Sequence, residues 1–418
     1  MMRKKSSGGI VLILFFLVNI SFSCTVVRYQ EQDQWNSFKW GVVQKVNKNS
    51  SIIPLSTPYR STKEFFKNGG SEEAKRICSQ LNSHNSATRI WELVEFSEVN
   101  ILSPVTGEGI SFLCQGLNYQ SHKDEFSVKS SKLNILFYKA PSSLTGAFET
   151  IKKPPHVKLL DYEVELGVVI AKDITSPRIF STAADLYEFI GGFVIVNDVS
   201  ARDIQLPEEQ WSKGKSYKSF GPTGPYLKLF TLEELDRYLN DLELQLWVNG
   251  NLRQSSNTKL MLNSIADTLS ELSFVQEIKA GDLLATGTPG GVAVSSPPLL
   301  ISSFLNLILD KENVWGLFVF FQSFSSRYLQ HGDVVEAWIG SSDGVIDLGK
   351  QRITIEDDTN PTWNAFESRF VPSRSFVLPL VFSLLIWSLF FIALFSGAYY
   401  CGRKKILDHY LLKKPKDE

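Results

Sequence analysis

The sequence predicts a β-rich α+β fold followed by a single transmembrane helix. Three observations carry this reading. Short β-branched and aromatic runs such as "YEVELGVVIA", "GGFVIVNDVS" and "LELQLWVNGNL" alternate with clusters of Gly, Pro, Asn and Ser, the pattern of strands joined by turns. Helical patches between them are few, "TAADLYEFI" and "TKLMLNSIADTLSELSFV" being the clearest, and "VNGN" marks a hairpin. Mostly antiparallel sheet is therefore expected, not a doubly wound parallel one. Residues 375–402 carry no charge and are followed at once by Arg403, Lys404 and Lys405.

Taken in order, residues 1–23 read as a secretory signal peptide or an uncleaved signal anchor. Arg3, Lys4 and Lys5 precede the apolar "IVLILFFLVNI", and Ser21 and Ser23 stand three and one residues before Cys24. Residues 24–95 read as a small N-terminal unit, with "STKEFF" and "SEEAKRICSQL" helical. Residues 96–358 form the main domain, 359–374 a juxtamembrane linker, 375–402 the membrane helix and 403–418 a basic tail. At about 1.5 Å per residue, 375–402 spans a hydrocarbon core of about 30 Å with some tilt. The positive-inside rule puts the tail in the cytoplasm and the body outside it.

Of the four cysteines, Cys78 and Cys114 lie in the body, where one bridge between them would suit an oxidising compartment. A formal net charge of −1 gives no electrostatic reason to expect nucleic acid as a partner.

The chemistry-bearing residues are mostly acidic. Glu163 and Glu165, in "DYEVELGVVI", are two apart and share one face of a strand whose other face carries Val164 and Leu166. Two like charges side by side suit either a solvent-facing edge or a divalent cation. Oxygen ligation favours Mg²⁺, Mn²⁺ or Ca²⁺ over Zn²⁺. Asp198 ends the apolar run "GGFVIVND", a place for a helix cap or a reactive group. Arg202 and Gln205 follow it at helical spacing, and Lys215 sits in the Gly-punctuated "WSKGKSYKSFGPTGP". The turn "ATGTPGG", with Thr286 and Thr288, could hold a carboxylate but lacks the phosphate-loop pattern. His122 and Glu125 in "GLNYQSHKDE" are neighbours on a helical turn. They read either as a charged surface turn or as a base whose tautomer the glutamate fixes.

In order, "GLNYQSHKDE", "FYKAPSSL", "LDYEVELGVVI", "GGFVIVNDVSARDIQ", "GKSY", "VNGNLRQSSNT" and "GDLLATGTPGGV" resemble the motifs of the fumarylacetoacetate hydrolase family over about residues 100–297. The likeness resumes at 328–355 with "YLQHGDVVEAWIG". The resemblance implies a mixed β-sandwich roll and a homodimer. It implies a divalent metal on Glu163, Glu165 and Asp198, a water-activating dyad of His122 and Glu125, and a charge-stabilising Lys215. Arg202, Gln205 and Thr286 would face a small keto or diketo acid. The implied reaction is hydrolysis of a carbon–carbon bond in an acylpyruvate or fumarylacetoacetate-like acid. Decarboxylation, tautomerisation or isomerisation on the same metal site, and an inactive membrane-anchored binding protein, are the alternatives.

Three departures stand out. Gln115 replaces a carboxylate of the fumarylacetoacetate branch, which makes the chain look closer to the acylpyruvate hydrolase branch. Lys218 replaces a usual acid and could alter substrate choice. Residues 299–327 form an apolar insertion, "LISSFLNLILDKENVWGLFVFFQSFSSR" at its heart, readable as a lid, a membrane-surface contact, an oligomer contact or an error in the coding sequence.

Overall fold

The strand Val164–Ile170 lies at the middle of the fold, and all of its residues are buried. That suits an apolar run covered on both faces. It pairs antiparallel with Ile190–Asn197 on one side and with Leu283–Ala285 on the other. Leu283–Ala285 runs parallel to Phe112–Gly116, which pairs with Ile135–Lys139. In this computed structural model the described residues are 24–32, 37–46, 49–82, 91–125, 133–208, 210–295 and 310–370.

These strands belong to a 13-stranded sheet. A 5-stranded sheet covers one face, in the order Asn251–Asn257, Glu243–Val248, Val334–Gly340, Asp347–Asp357 and Thr150–Lys153. Val164, Leu166 and Val168 of the central strand share one core with Leu244, Leu246, Ala337 and Ile353 of the second sheet. Val169, on the opposite face, packs in another core with Trp40, Phe65 and Ile77. Period-two alternation thus sends successive side chains into two different apolar layers. Among the described residues pairing is antiparallel apart from Leu283–Ala285 with Phe112–Gly116, Asp347–Asp357 with Thr150–Lys153, and Gly221–Thr223 with Leu144–Gly146. The expected β-rich α+β fold is observed.

Residues 24–54 do not stand apart from the main domain. Cys24–Glu31 pairs with Leu227–Leu229, and Phe38–Val46 and Asn49–Pro54 extend the same sheet. Helices Thr62–Lys67 and Gly70–Leu81 close its face with Phe65, Phe66, Ala74 and Ile77. Here the cysteine reading needs correction. Cys24 is bonded to Cys78, while Cys114 is a buried free thiol. Cys78 faces the first strand from its helix, whereas Cys114 lies inside the sheet on Phe112–Gly116, so the Cys78–Cys114 bridge that the sequence allowed does not form.

The insertion is integrated where it is described. Asp310 caps the helix Lys311–Gln322 by accepting Asn313 N–H (2.8 Å), and Leu317 and Val319 are buried, Val319 in the main core. Phe321 and Phe324 remain exposed. No helix among the described residues is long and apolar enough to cross a membrane. The signal segment 1–23 and the spanning segment 375–402 expected from sequence lie outside the described residues.

The bridge closes a loop with a sequence separation of 54. Loop-closure entropy values such a cross-link at about 4 kcal/mol. Cys78→Ser, or reduction of the native protein, should therefore lower the urea midpoint of unfolding, with a slope that is unchanged or steeper because the unfolded chain is freer to expand. An unchanged midpoint would contradict the pairing.

Candidate active site

The register of the central strands builds the site. Val164 lies opposite Asn197, so the next residues outward, Glu163 and Asp198, face each other, and Asp198 N–H donates to Glu163 O (2.9 Å). Glu165 follows on the same face as Glu163. Ligand oxygens of Glu163, Glu165 and Asp198 all lie within 4.8 Å of one another, and all three residues are buried. The solvent-facing reading of the two glutamates is thereby excluded.

Cations converge on this trio unevenly. Lys215 Nζ donates to Glu163 Oε2 (2.7 Å) and to Asp198 Oδ2. Arg202 donates to Glu163 Oε1 (2.6 Å), to Gln205 Oε1 (2.9 Å) and to Asp161 Oδ2 (2.8 Å). Lys139 Nζ reaches Asp198 Oδ1 and Val199 O (3.1 Å). Glu165 has no ion pair among the described residues and accepts Gly287 N–H (2.8 Å). Gly287 has φ +87°, and a Cβ there would meet Asn118 Cβ at 2.7 Å, so only glycine brings that N–H to the carboxylate.

The acidities follow from this distribution. Burial pushes Glu163 up, but Arg202 and Lys215 outweigh it and hold the carboxyl below its ordinary range. Glu165 is pushed well above the ordinary range by burial and by the charges of Asp198 and Glu163. Burial works against the Lys215 ammonium, yet Asp198 and Glu163 hold it charged to higher pH than usual. A carboxylate trio whose third member lacks a cation is a donor set suited to a hard divalent ion.

His122 and Glu125 lie on the helix Gln120–Glu125, with His122 Nδ1 and Glu125 Oε2 2.9 Å apart. Glu125 Oε1 accepts Gly291 N–H (2.7 Å), so the Gly-rich turn fixes the glutamate that fixes the histidine. His122, Glu163, Glu165, Arg202, Gln205 and Lys215 line a single cavity of about 160 Å³. His122 and the two glutamates of the trio, far apart in sequence, therefore share one chamber. A larger cavity of about 410 Å³ lies on the outer side of the helix Arg202–Gln205, against the insertion helix, and none of the predicted site residues lines it.

Other sequence expectations fall differently in the structure. Thr286 is fully buried and its hydroxyl donates to Leu166 O (2.9 Å), so it is tied to the strand. Thr288 lines the cavity instead, donating to Val164 O (3.0 Å) while accepting from Gln254 Nε2 (2.8 Å). Lys218 is exposed and away from the cavity, so its reversed charge does not enter the site. None of the described insertion residues 310–327 lines the cavity.

Sequence reasoning missed Lys139 and Asp161. Each had a signal: Lys139 is a lysine closing the apolar strand Ile135–Lys139, and Asp161 is the third acid of "DYEVE". Asp161 accepts Ala293 N–H (2.7 Å) and Val294 N–H (3.1 Å) as well as Arg202, so it anchors both the arginine and the chain beyond the turn. Lys139→Met would strip one partner from a buried carboxylate, a change that typically costs about 3–5 kcal/mol. Urea unfolding in EDTA should show a loss of that order. A loss under about 1 kcal/mol would mean that the Lys139–Asp198 pair is not formed in the folded protein.

Residues 111–356 match the family model "Fumarylacetoacetate (FAA) hydrolase C-terminal". The mitochondrial oxaloacetate tautomerase Fahd2a of Rattus norvegicus is 36% identical over 211 residues, 50% of this chain and 65% of the rat protein. The oxaloacetate tautomerase YisK of Bacillus subtilis is 36% identical over 216 residues, 50% of this chain and 69% of the relative. Among solved structures, a fumarylacetoacetate hydrolase from Exiguobacterium antarcticum superposes with a TM-score of 0.55 at 27% identity, covering 80% of this chain and 100% of that one. With the model match extending over more than half of the chain and across both sheets, the protein belongs to the fumarylacetoacetate hydrolase family.

Proposed function

We propose that the protein is a divalent-metal-dependent enzyme that interconverts the keto and enol forms of a short 2-keto acid. The observation that carries this reading is the one chamber lined by His122, Glu163, Glu165, Arg202 and Lys215, with Asp198 within 4.8 Å of the two glutamates and Glu125 bonded to His122. Relatives named as oxaloacetate tautomerases support the choice of reaction.

A cation held by Glu163, Glu165 and Asp198, whether Mg²⁺, Mn²⁺ or Ca²⁺, would supply Lewis-acid polarisation of the keto oxygen. The side chains do the rest. With Nδ1 held by Glu125, proton exchange falls to His122 Nε2, which takes a proton from the carbon beside the ketone. Negative charge then moves onto the keto oxygen, near Lys215 and Arg202. Return of the proton to oxygen completes the tautomerisation, with nothing consumed.

Carbon–carbon hydrolysis of an acylpyruvate is the second reading. It uses the same dyad on a water molecule, and the likeness to a fumarylacetoacetate hydrolase structure favours it. The apolar segments 1–23 and 375–402 and the Cys24–Cys78 bridge further support a membrane-anchored, extracytoplasmic body.

The test is oxaloacetate enolisation followed by enol absorbance, beside cleavage of an acylpyruvate panel, with Mg²⁺ and then with EDTA. Metal-dependent enolisation without cleavage is expected. His122→Ala should lower it by about 10²–10⁴-fold. Cleavage faster than enolisation would reverse the order of the two readings, and activity undiminished by EDTA would overturn both.

A further inference from the structure

The catalytic cavity has two unlike walls. One is the charged floor already described; the other is apolar and built from Leu117, Phe137, Leu206 and Trp211. Trp211 immediately precedes the helix Ser212–Lys215, so one short helix presents an indole to the wall and an ammonium to the floor. The Phe137 ring sits between them, edge-to-face with Trp211 at 5.4 Å and 5.2 Å from Lys215 Nζ.

This wall is braced. Ser212 Oγ donates to Tyr138 O (2.7 Å) and Ala140 N–H donates to Ser216 Oγ (2.9 Å), so both ends of the helix are bonded to the strand that carries Phe137 or to the residue just after it. Behind the indole is bare backbone: a Cβ at Gly116 would come within 2.5 Å of the Trp211 ring. The ring rests on Gly116, where no side chain intervenes. A chamber of 160 Å³ is about the size of an engineered cavity of roughly 150 Å³ that holds one benzene. Once a keto-acid head occupies the floor, little volume remains beneath the indole.

We propose that Trp211, seated on Gly116 and braced by Phe137, is the specificity-determining residue that limits substrate length. It admits 2-keto acids with a short distal group, such as four-carbon oxo-dicarboxylates, and excludes long-chain acylpyruvates. The inference rests on the keto-acid reading above and adds to it the size class of the substrate.

The experiment is calorimetric binding of oxalate and of straight-chain 2-keto acids from pyruvate to 2-oxooctanoate, with Mn²⁺ present. The proteins are wild type, Trp211→Ala, Trp211→Leu and Gly116→Ala. In wild type, affinity should fall as the chain lengthens. Either tryptophan variant should raise the long-to-short affinity ratio by at least about tenfold, the scale at which apolar pockets discriminate methylenes. Gly116→Ala, whose Cβ would displace the ring and add a methyl to the cavity lining, should lower that ratio further. A wild-type profile flat or rising with length, or a ratio unmoved in the folded tryptophan variant, overturns the length limit alone. Absence of binding by every ligand, oxalate included, overturns the keto-acid reading and this inference with it.

Discussion

Three carboxylates held within a few ångströms of one another, out of water, are the constraint on which the rest of the molecule depends. Left alone, such a cluster would neutralise itself by taking up protons or would not fold. The chain answers with Lys139, Lys215 and Arg202, all buried and all bonded to a member of the trio. They serve Asp198 and Glu163 and leave Glu165 with a backbone N–H. The imbalance is directional: it marks the side of the cluster where a further positive charge gains most. Asp161 belongs to the same accounting, since it keeps Arg202 aimed at Glu163.

The fold is arranged to hold this cluster rigidly. Glu163 and Glu165 issue from the central strand, Asp198 from its neighbour and Gly287 from the turn after the next strand. The dyad helix follows the strand one place further along and is tied back to the turn through Glu125 and Gly291. The carboxylates, the turn and the dyad thus issue from the central strand or from strands no more than two hydrogen-bonded steps away. Lys215 ends a short helix that Trp211 immediately precedes, and that helix is pinned to Tyr138 and Ala140.

Much of this was legible in the sequence, and the reasons are physical. Strand periodicity placed Glu163 and Glu165 on one face, and helical spacing paired His122 with Glu125, because both rules act within a few residues. What could not be read was long-range choice between equivalent residues. Thr286 and Thr288 both bond carbonyls of the central strand, Leu166 and Val164, and only the path of the turn decides which one meets the cavity. Cys24 read as the residue after a processing site, which left Cys114 as the one body-side candidate for Cys78, yet the fold brings Cys78 to Cys24. Lys139 looked like the ordinary end of a strand until the sheet brought it to Asp198. Residues 24–54 carried no sign of the sheet they would extend, because their partners lie as far on as Leu227–Leu229.

The central claim is that the trio binds one divalent ion at the side of Glu165. Anomalous diffraction from crystals soaked in Mn²⁺ tests it most directly. The account predicts a single strong peak within coordination distance of Glu163, Glu165 and Asp198, lost in Glu165→Gln crystals grown alongside. Absence of a peak at a saturating Mn²⁺ concentration, or a peak bound elsewhere with the trio still closed on Lys215, would contradict it.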